Sequence, residues 1–201
     1  MGLETLGNVG NGAESTIAFE QPYSVEIQVE GVAPLLFHRW DCESVDAKSK
    51  AAKGSKGKKT DDIESYVYRN TKGELAIPGE YFRQSIIHAA KYAQDPRSPR
   101  KSAMDLFKAG IAVLDELCSL KTKDWDYLDR RRVLVQRNGI TRVRPAMNSG
   151  WRVTVTLTVL LPEYINGHLL HDRLSAAGRL VGVGDFRPTF GRFQVDRFQI
   201  L

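Results

Sequence analysis

"WRVTVTLTVLL", residues 151–161, is the most regular stretch of the chain, and it predicts a β-strand with one buried face. Trp151 and four further apolar residues alternate with Arg152 and three threonines. A period of two is typical of a strand whose successive side chains point to opposite sides of a sheet. The threonine face is too polar for a core, so it is either a solvated face or one that lies against a sugar–phosphate chain.

The sequence after this strand predicts a helix, a glycine-rich loop and a final strand. "NGHLLHDRLSAAGRLV" (166–181) has apolar residues at helical spacing, with Asn166 as the expected N-cap. "GVGDFRPTFGRF" (182–193) holds three glycines and an Arg-Pro pair. "RFQVDRFQIL" (192–201) then closes the chain as a strand.

The sequence before residue 151 supplies the other half of the fold. "YSVEIQVEGV" (23–32) alternates like a strand, and "APLLFHRW" (33–40) is expected to extend it past a proline. "PGEYFRQSIIHAAKYAQD" (78–95) predicts a helix. "IAVLDELCSL" (111–120) predicts a strand, and two further strands are expected at 132–136 and 140–144 around an Asn-Gly turn.

The order strand, helix, strands, helix, strand predicts an α/β (α+β) fold. It is the order of a ferredoxin-like, RRM-like βαββαβ core with a long insertion after the first strand. Residues 1–21 are predicted to be a flexible N-terminal arm and residues 22–201 a single domain. Residues 41–62 form a lysine-rich insertion that is expected to be mobile and to become ordered on binding.

Composition narrows the classes of protein. Of 201 residues 42% are hydrophobic, which excludes a disordered chain, and the net charge of +5 is small enough that its distribution matters more than its size. The two cysteines, Cys42 and Cys118, form no CxxC pair, which argues against a disulfide framework and fits a reducing, cytoplasmic location. Residues 1–21 lack the pattern of a signal peptide. No apolar run is long enough to span a bilayer, so a membrane is not expected as a partner.

Two nucleotide motifs and one metal motif are rejected. Gly182-Val-Gly184 follows a helix, whereas a dinucleotide-binding loop precedes one, and "GSKGKKT" (54–60) lacks the spacing of a phosphate-binding loop. His168 and His171 lie three residues apart without an evident third ligand, so one exposed and one partly packed histidine are expected. No cofactor, metal or catalytic residue is predicted.

Arginines are concentrated after Asp129, and some of them flank the glycines of residues 182–191; together they predict a nucleic-acid-binding surface. Arginine suits phosphate because its planar fork is always charged and binds two oxygens. Glycines allow close backbone approach and expose N–H groups, while Phe186 and Phe190 are expected to stack on bases. Asp185 is expected to hold Arg187 or to accept from a base or sugar hydroxyl. The candidate residues are Arg142, Arg144, Arg152, Gly182, Gly184, Phe186, Arg187 and Arg192, with Lys53, Lys56 and Lys58 of the insertion.

A structural alternative for the glycine-rich loop stays open. The glycines would then shape a tight helix-to-strand turn, with Phe186 and Phe190 in the core. Under the binding hypothesis, Gly184→Val weakens nucleic-acid binding more than folding, because loops lie on the surface.

The chain resembles the RAMP superfamily, the guide-RNA-binding backbone proteins of CRISPR effector complexes. The resemblance rests on "GVGDFRPTFGRF" between the last helix and last strand, on "IPGEYFRQSIIHAA" (77–90), and on the long insertion after the first strand. It implies a ferredoxin-like palm whose copies stack along one RNA strand with other effector subunits in antiviral defence. It also implies that the helix near Gly79, with Arg83, and the glycine loop contact that strand.

Other functions remain open beside a non-catalytic RNA-binding protein. The Arg-Pro form of the loop and "PLLFHR" (34–39) also look like small proteins of bacterial viruses and mobile elements, which implies a stand-alone protein acting on single-stranded DNA. Some RAMP members cut RNA with an aspartate of the insertion, and Asp41 and Asp46 fit that position. A basic surface that meets an acidic protein is the third possibility. Nucleic-acid binding predicts an affinity that falls steeply with salt.

Overall fold

The computed structural model describes residues 21–39, 63–135 and 138–201, and these form a mixed α+β structure, as the sequence predicts. The helices are α1 (Gly79–Ala90), α2 (Met104–Gly110) and α3 (Gly167–Leu180), with a short 3-10 helix at Glu64–Tyr66. The strands are β1 (Tyr23–Gly31), β2 (Leu35–Leu36), β3 (Tyr68–Arg69), β4 (Leu75–Pro78), β5 (Gln94–Asp95), β6 (Ser98–Ser102), β7 (Ile111–Val113), β8 (Leu117–Ser119), β9 (Tyr127–Val135), β10 (Asn138–Met147), β11 (Arg152–Val159) and β12 (Phe193–Ile200).

The central sheet has four strands in the order β12-β1-β11-β7, and neighbouring strands are antiparallel. β1 and β7 therefore run parallel to each other, as do β11 and β12. α1 lies between the first pair along the chain and α3 between the second. Both helices contribute buried residues to one core with the apolar face of this sheet.

The alternating sequences of β1 and β11 produce this buried face. Their apolar residues face each other across the two strands and are at most 3% exposed, whereas the side chains between them are half-buried on the other face. Each such side chain contributes about 1.5–3 kcal/mol when fully buried. The cross-strand pairs are Val25 with Leu157, Ile27 with Val155, and Val29 with Val153.

The last helix forms as the sequence predicts. The Asn166 side chain accepts a hydrogen bond of 2.9 Å from the backbone N–H of Leu169, which satisfies one free donor of the first turn. Leu170, Leu174 and Ala177 are fully buried and form the stripe that packs on the sheet. At its other end α3 stops at Leu180, where the Val181 N–H still donates to the Ala177 carbonyl, and the glycine-rich loop begins there.

The prediction that residues 33–40 extend the first strand is wrong. After Gly31 the backbone turns, and the N–H groups of Val32 and Ala33 donate to the carbonyl of Arg192. Pro34 has no N–H to continue a ladder. Leu35–Leu36 instead pairs with β10 in a second sheet, of order β2-β10-β9.

The predicted strand at 111–120 is two short strands in different sheets. Ile111–Val113 pairs with β11, and Leu117–Ser119 pairs with β4 in a third sheet, of order β3-β4-β8. Between them, the Asp115 carboxylate accepts the backbone N–H of Thr156 at 2.5 Å. The chain therefore leaves the central sheet at this point, which apolar content alone does not reveal.

The strands predicted at 132–136 and 140–144 are parts of a longer hairpin, β9–β10. The arginines at 130–132 consequently lie in the middle of β9 rather than at its start. Arg131 pairs with Arg142 across the hairpin, and Asp129 pairs with Arg144. These four residues share one face of the hairpin, because cross-strand partners point to the same side.

Several predictions fall outside the described residues. They concern residues 1–20 of the N-terminal arm and the whole lysine-rich insertion, with Lys53, Lys56, Lys58, Asp41, Asp46 and Cys42. Within the described part of the chain, no helix has both the length and the apolar character needed to cross a membrane.

Candidate nucleic-acid-binding groove

The loop at residues 181–192, here called the glycine loop, folds tightly against its own chain. Gly182, Gly184 and Gly191 have φ angles of +77°, +78° and +71°, in the left-handed region that favours glycine. A Cβ atom at Gly191 would lie 1.7 Å from the carbonyl oxygen of Val183, and one at Gly184 would lie 2.7 Å from that of Leu36. The glycines therefore serve close packing within the protein.

The amides of the glycine loop are also used internally. Gly182 N–H donates to Ala177 O at 2.8 Å, and Gly191 N–H donates to Pro34 O at 2.8 Å. Asp185 N–H donates to Leu36 O at 3.0 Å. The expectation that Gly182 and Gly191 expose N–H groups to a ligand is thus wrong, because these N–H groups donate to α3 and to the β2 region. Gly184→Val is now expected to impair folding, which reverses the prediction that the fold would tolerate it.

The two phenylalanines of the loop differ in their surroundings. Phe190 is buried in a small cluster with Leu36 and Ala146. Phe186 is 41% exposed and has a φ of +57°, an unfavourable conformation for a bulky residue. Their ring centroids are 6.0 Å apart at 76°, an edge-to-face contact. Phe190 is therefore a core residue and Phe186 presents its ring to solvent, so each alternative from the sequence describes one of the two residues.

Arg131 links the hairpin β9–β10 to this aromatic pair. Its guanidinium carbon lies 4.9 Å from the ring centre of Phe186 and 4.5 Å from that of Phe190. The Asp129 carboxylate accepts two hydrogen bonds from the same guanidinium, both at 2.5 Å. The cation–π contacts of Arg131 with the two rings stabilise the position of Phe186. Arg131 is the middle one of three successive arginines, and nothing in the linear pattern identifies it as the one that contacts the rings.

An ionic network lies beside the loop. The Asp185 carboxylate is 2.7 Å from Arg144 Nε and 3.5 Å from His38 Nδ1, and His38 Nε2 is 3.0 Å from Arg142 Nη1. Arginine can only donate, so Nε2 accepts and the ring proton faces Asp185. The expectation that Asp185 holds Arg187 is therefore wrong. Arg144 is only 5% exposed, so it positions Asp185 and is not available as a surface contact.

A groove of about 810 Å³ opens on the solvent side of the glycine loop. Its walls are the C-terminal end of α1, the C-terminal end of α3 and the loop itself. Two aromatic side chains in it are unusually exposed, Tyr92 at 71% and Phe186 at 41%. The other lining residues include the cations Lys91 and Arg187, the apolar Met104 and Leu180, the His88 ring and the Asp185 carboxylate.

A smaller cavity of about 340 Å³ adjoins this groove. The two share Gly184, Asp185, Arg187 and His88 as lining residues, so they meet at the glycine loop. Tyr68 and Tyr81 line the smaller cavity, with their hydroxyls 3.3 Å apart. Burial, followed by the hydrogen bond to Tyr68, raises the pKa of Tyr81, so its phenol is protonated at neutral pH.

Arg83 and Arg152, which were predicted to bind nucleic acid, have partners elsewhere. Arg83 donates to the carbonyls of Ile111 and Lys108 at 2.8 and 2.5 Å, and it also pairs with Glu80, so it connects α1 to the end of α2. Arg152 lies on the open face of the central sheet, 3.2 Å from Glu30. The structure thus brings Arg142, Arg144, Phe186, Arg187, Gly182 and Gly184 together but leaves these two arginines apart from that group.

Arg192, the remaining arginine that was predicted to bind, is not among the residues that line the groove. Arg192 is exposed just before β12, and its carbonyl accepts the N–H groups of Val32 and Ala33 in the turn after β1.

Lys91 and Tyr92 line the groove but were not predicted as site residues. The sequence contains a signal for Tyr92, because this residue follows α1 but lies off the apolar stripe of Phe82, Ile86 and Ala89. An aromatic residue off such a stripe is expected to be exposed.

Other chemistries find little support among the described residues. No group of three His, Cys, Asp or Glu side chains there is arranged to hold a metal. His171 packs edge-on against Phe198, with ring centres 5.3 Å apart, and His168 is exposed. Burial raises the pKa of the Cys118 thiol to about 12, which is unsuitable for a nucleophile.

No protein-family model matches this chain, and a search of the curated proteins also finds no match.

Proposed function

We propose that this chain binds single-stranded nucleic acid, with RNA as the first candidate, along the groove beside the glycine loop. The observation that carries the proposal is the presence of two exposed aromatic rings, Tyr92 and Phe186, with Lys91 and Arg187 in the same groove. Single-strand binding proteins combine these two elements, since rings stack on bases while cations contact phosphates. In this proposal the chain is a binding protein and not an enzyme.

The exposed rings favour a nucleic acid over an acidic protein. Tyr92 is 71% exposed, so most of its ring beside Lys91 is accessible to a base. Stacking accepts any base, because every base has a π-face.

The fold is compatible with the resemblance to RAMP proteins. The order β12-β1-β11-β7, with α1 and α3 between the parallel pairs, is the order that a ferredoxin-like core would have. On this basis we extend the proposal to a cytoplasmic subunit that binds in several copies along one strand. Native mass spectrometry on strands of increasing length tests the extension, and a copy number that stays at one would contradict it.

Fluorescence anisotropy with labelled single strands of uracil and of thymine, and with a duplex of equal length, tests the main proposal. We expect single strands to bind more tightly than the duplex. With two or three phosphates contacted by the groove cations, affinity for single strands should fall roughly tenfold between about 50 and 200 mM salt. Affinity that does not change with salt, or a preference for duplex, would contradict the proposal.

A further inference from the structure

We propose that the 340 Å³ cavity beside the groove takes one unstacked nucleobase, with guanine preferred. The inference rests on the proposed function, because the base would belong to a strand that lies in the neighbouring groove. The volume falls at the lower end of the range of small-ligand pockets, roughly 300–1,000 Å³. The cavity is therefore suited to one compact group and not to a length of strand.

The walls of the cavity suit a flat aromatic ligand. Leu35, Ile77 and Pro78 supply apolar surface, and Tyr68 and Tyr81 supply aromatic surface. The two tyrosine rings are 6.2 Å apart and nearly perpendicular, at 89°. One ring therefore offers a face where the other offers an edge, so a flat base can stack on one ring while its rim contacts the other.

Polar groups at the cavity can read the edge of a base. The Asp185 carboxylate is held by Arg144, whose side chain is 6% exposed, and by His38, so its position is fixed before a ligand arrives. Asp185 Oδ2 is buried, yet the side chain as a whole is 28% exposed, so the accessible part includes its other oxygen. A pre-positioned acceptor of this kind selects ligands that carry N–H donors.

Guanine matches this acceptor better than the other bases. A carboxylate can only accept, and the one accessible Asp185 oxygen has two lone pairs, so it can accept from two donors. Guanine is the base with two adjacent N–H donors on its Watson–Crick edge. One hydroxyl of the Tyr68–Tyr81 pair donates to the other, which leaves a second hydroxyl proton free for a base oxygen or nitrogen. Adenine and cytosine offer an acceptor beside their single amino group, which would face the carboxylate unfavourably.

Arg187 and His88 explain how such a base would stay connected to the strand. Both residues line the cavity and the groove, so they lie where the two spaces meet. A sugar–phosphate chain in the groove would pass the Arg187 guanidinium and the His88 ring at the point where one base turns inward. The cavity would thus add base preference to a groove that is otherwise indifferent to sequence.

The experiment measures competition by short thymine strands that carry one central guanine, adenine or abasic site against a labelled thymine-only strand. We expect the guanine strand to bind about fivefold or more tightly than the adenine strand, with the abasic strand weakest. Equal affinities for all three strands would overturn the inference while leaving the proposed function intact. Failure of the thymine-only strand to bind would remove both.

Variants separate the cavity from the groove. Asp185→Asn should bring the guanine-to-adenine ratio close to one, whereas Asp196→Asn, which removes an exposed carboxylate outside both spaces, should preserve it. Because Asp185→Asn leaves Arg144 without its partner and can impair folding, Tyr81→Phe is the second variant. It keeps the ring and should lower the ratio. An unchanged ratio in both folded variants would overturn the inference.

Free guanosine monophosphate distinguishes a base in a strand from a free nucleotide. If the cavity takes a strand base, saturating nucleotide should reduce the advantage of the guanine strand over the adenine strand. If the nucleotide binds but the guanine strand has no advantage without it, the cavity serves a free nucleotide and the inference fails.

Discussion

The open face of the central sheet and the groove beside the glycine loop both carry arginine, but they differ in how the charge is balanced. On the open face, Arg152 pairs with Glu30, and Glu26 lies opposite Thr156 in the neighbouring strand. In the groove, Lys91 and Arg187 form no ion pair with any residue that the structure describes.

This difference shows that the number of cations is a poor guide to an anion-binding site. An arginine beside a carboxylate presents little net charge to a phosphate. Exposed rings also occur at the groove, where Tyr92 and Phe186 are accessible, while the open sheet face has threonines. Both regions are polar in sequence, and only side-chain pairing in three dimensions separates them.

Replacing a glycine of the loop should give the largest effect. Gly191→Ala places a Cβ 1.7 Å from a backbone oxygen, so we expect a loss of unfolding free energy well above the roughly 1–2 kcal/mol of left-handed strain alone. Gly150→Ala is the matched control, since Gly150 also has a positive φ but nothing lies within 4 Å of its Cβ position. Urea denaturation of both variants measures the difference. Equal losses would show that the loop is not tightly packed.

Removing the groove aromatics should give the next largest effect, on binding. Phe186→Ala and Tyr92→Ala are each expected to weaken single-strand binding by about 1–3 kcal/mol, because each ring stacks on a base. Tyr164→Ala is the control, an exposed tyrosine (43%) outside the groove. Anisotropy titrations give the three affinities. A loss for Tyr164→Ala as large as for the groove variants would mean that stacking is not confined to the groove.

Weakening the cap of α3 should affect stability but not binding directly. Asn166→Ala removes the acceptor for Leu169 N–H and should cost about 1 kcal/mol, whereas Asn166→Ser should retain most of the cap. Thermal unfolding followed by circular dichroism measures both variants. A change in affinity larger than the change in stability would show that α3 controls the shape of the groove.

Breaking the ion pair on the open sheet face should have the smallest effect. Arg152 is largely exposed, and exposed pairs contribute between about 0 and 1 kcal/mol. Arg152→Ala should therefore lower the unfolding free energy by less than that upper value. A larger loss measured by urea denaturation would indicate that the sheet face is covered by another part of the protein.

Much of the fold could be predicted from periodicity. The alternation in β1 and β11 and the apolar stripe of α3 indicate burial directly. All of these apolar side chains pack into the same core between the sheet and the helices. The partners of β2 and the division of residues 111–120 could not be predicted. Short apolar segments carry no information about which sheet they join.

The site could be predicted only in part. Phe186 and Arg187, which the sequence analysis proposes as ligand contacts, both line the groove. Arg144 was predicted as a contact but is buried, since a strand arginine can reach a carboxylate such as Asp185 that is distant in sequence. Tyr92 was not proposed because its position off the apolar stripe of α1 indicates exposure but does not indicate which cavity or groove it lines.

The salt dependence of single-strand binding in two arginine variants tests the central claim most directly. If the groove is the binding site, Arg187→Ala should make the slope of log affinity against log salt shallower by about 0.7, the value for one lost phosphate contact. Arg152→Ala, which removes an arginine from the open face of the central sheet, should leave the slope unchanged. An unchanged slope for Arg187→Ala together with a shallower slope for Arg152→Ala would contradict the account and place the nucleic acid on the open face of the sheet.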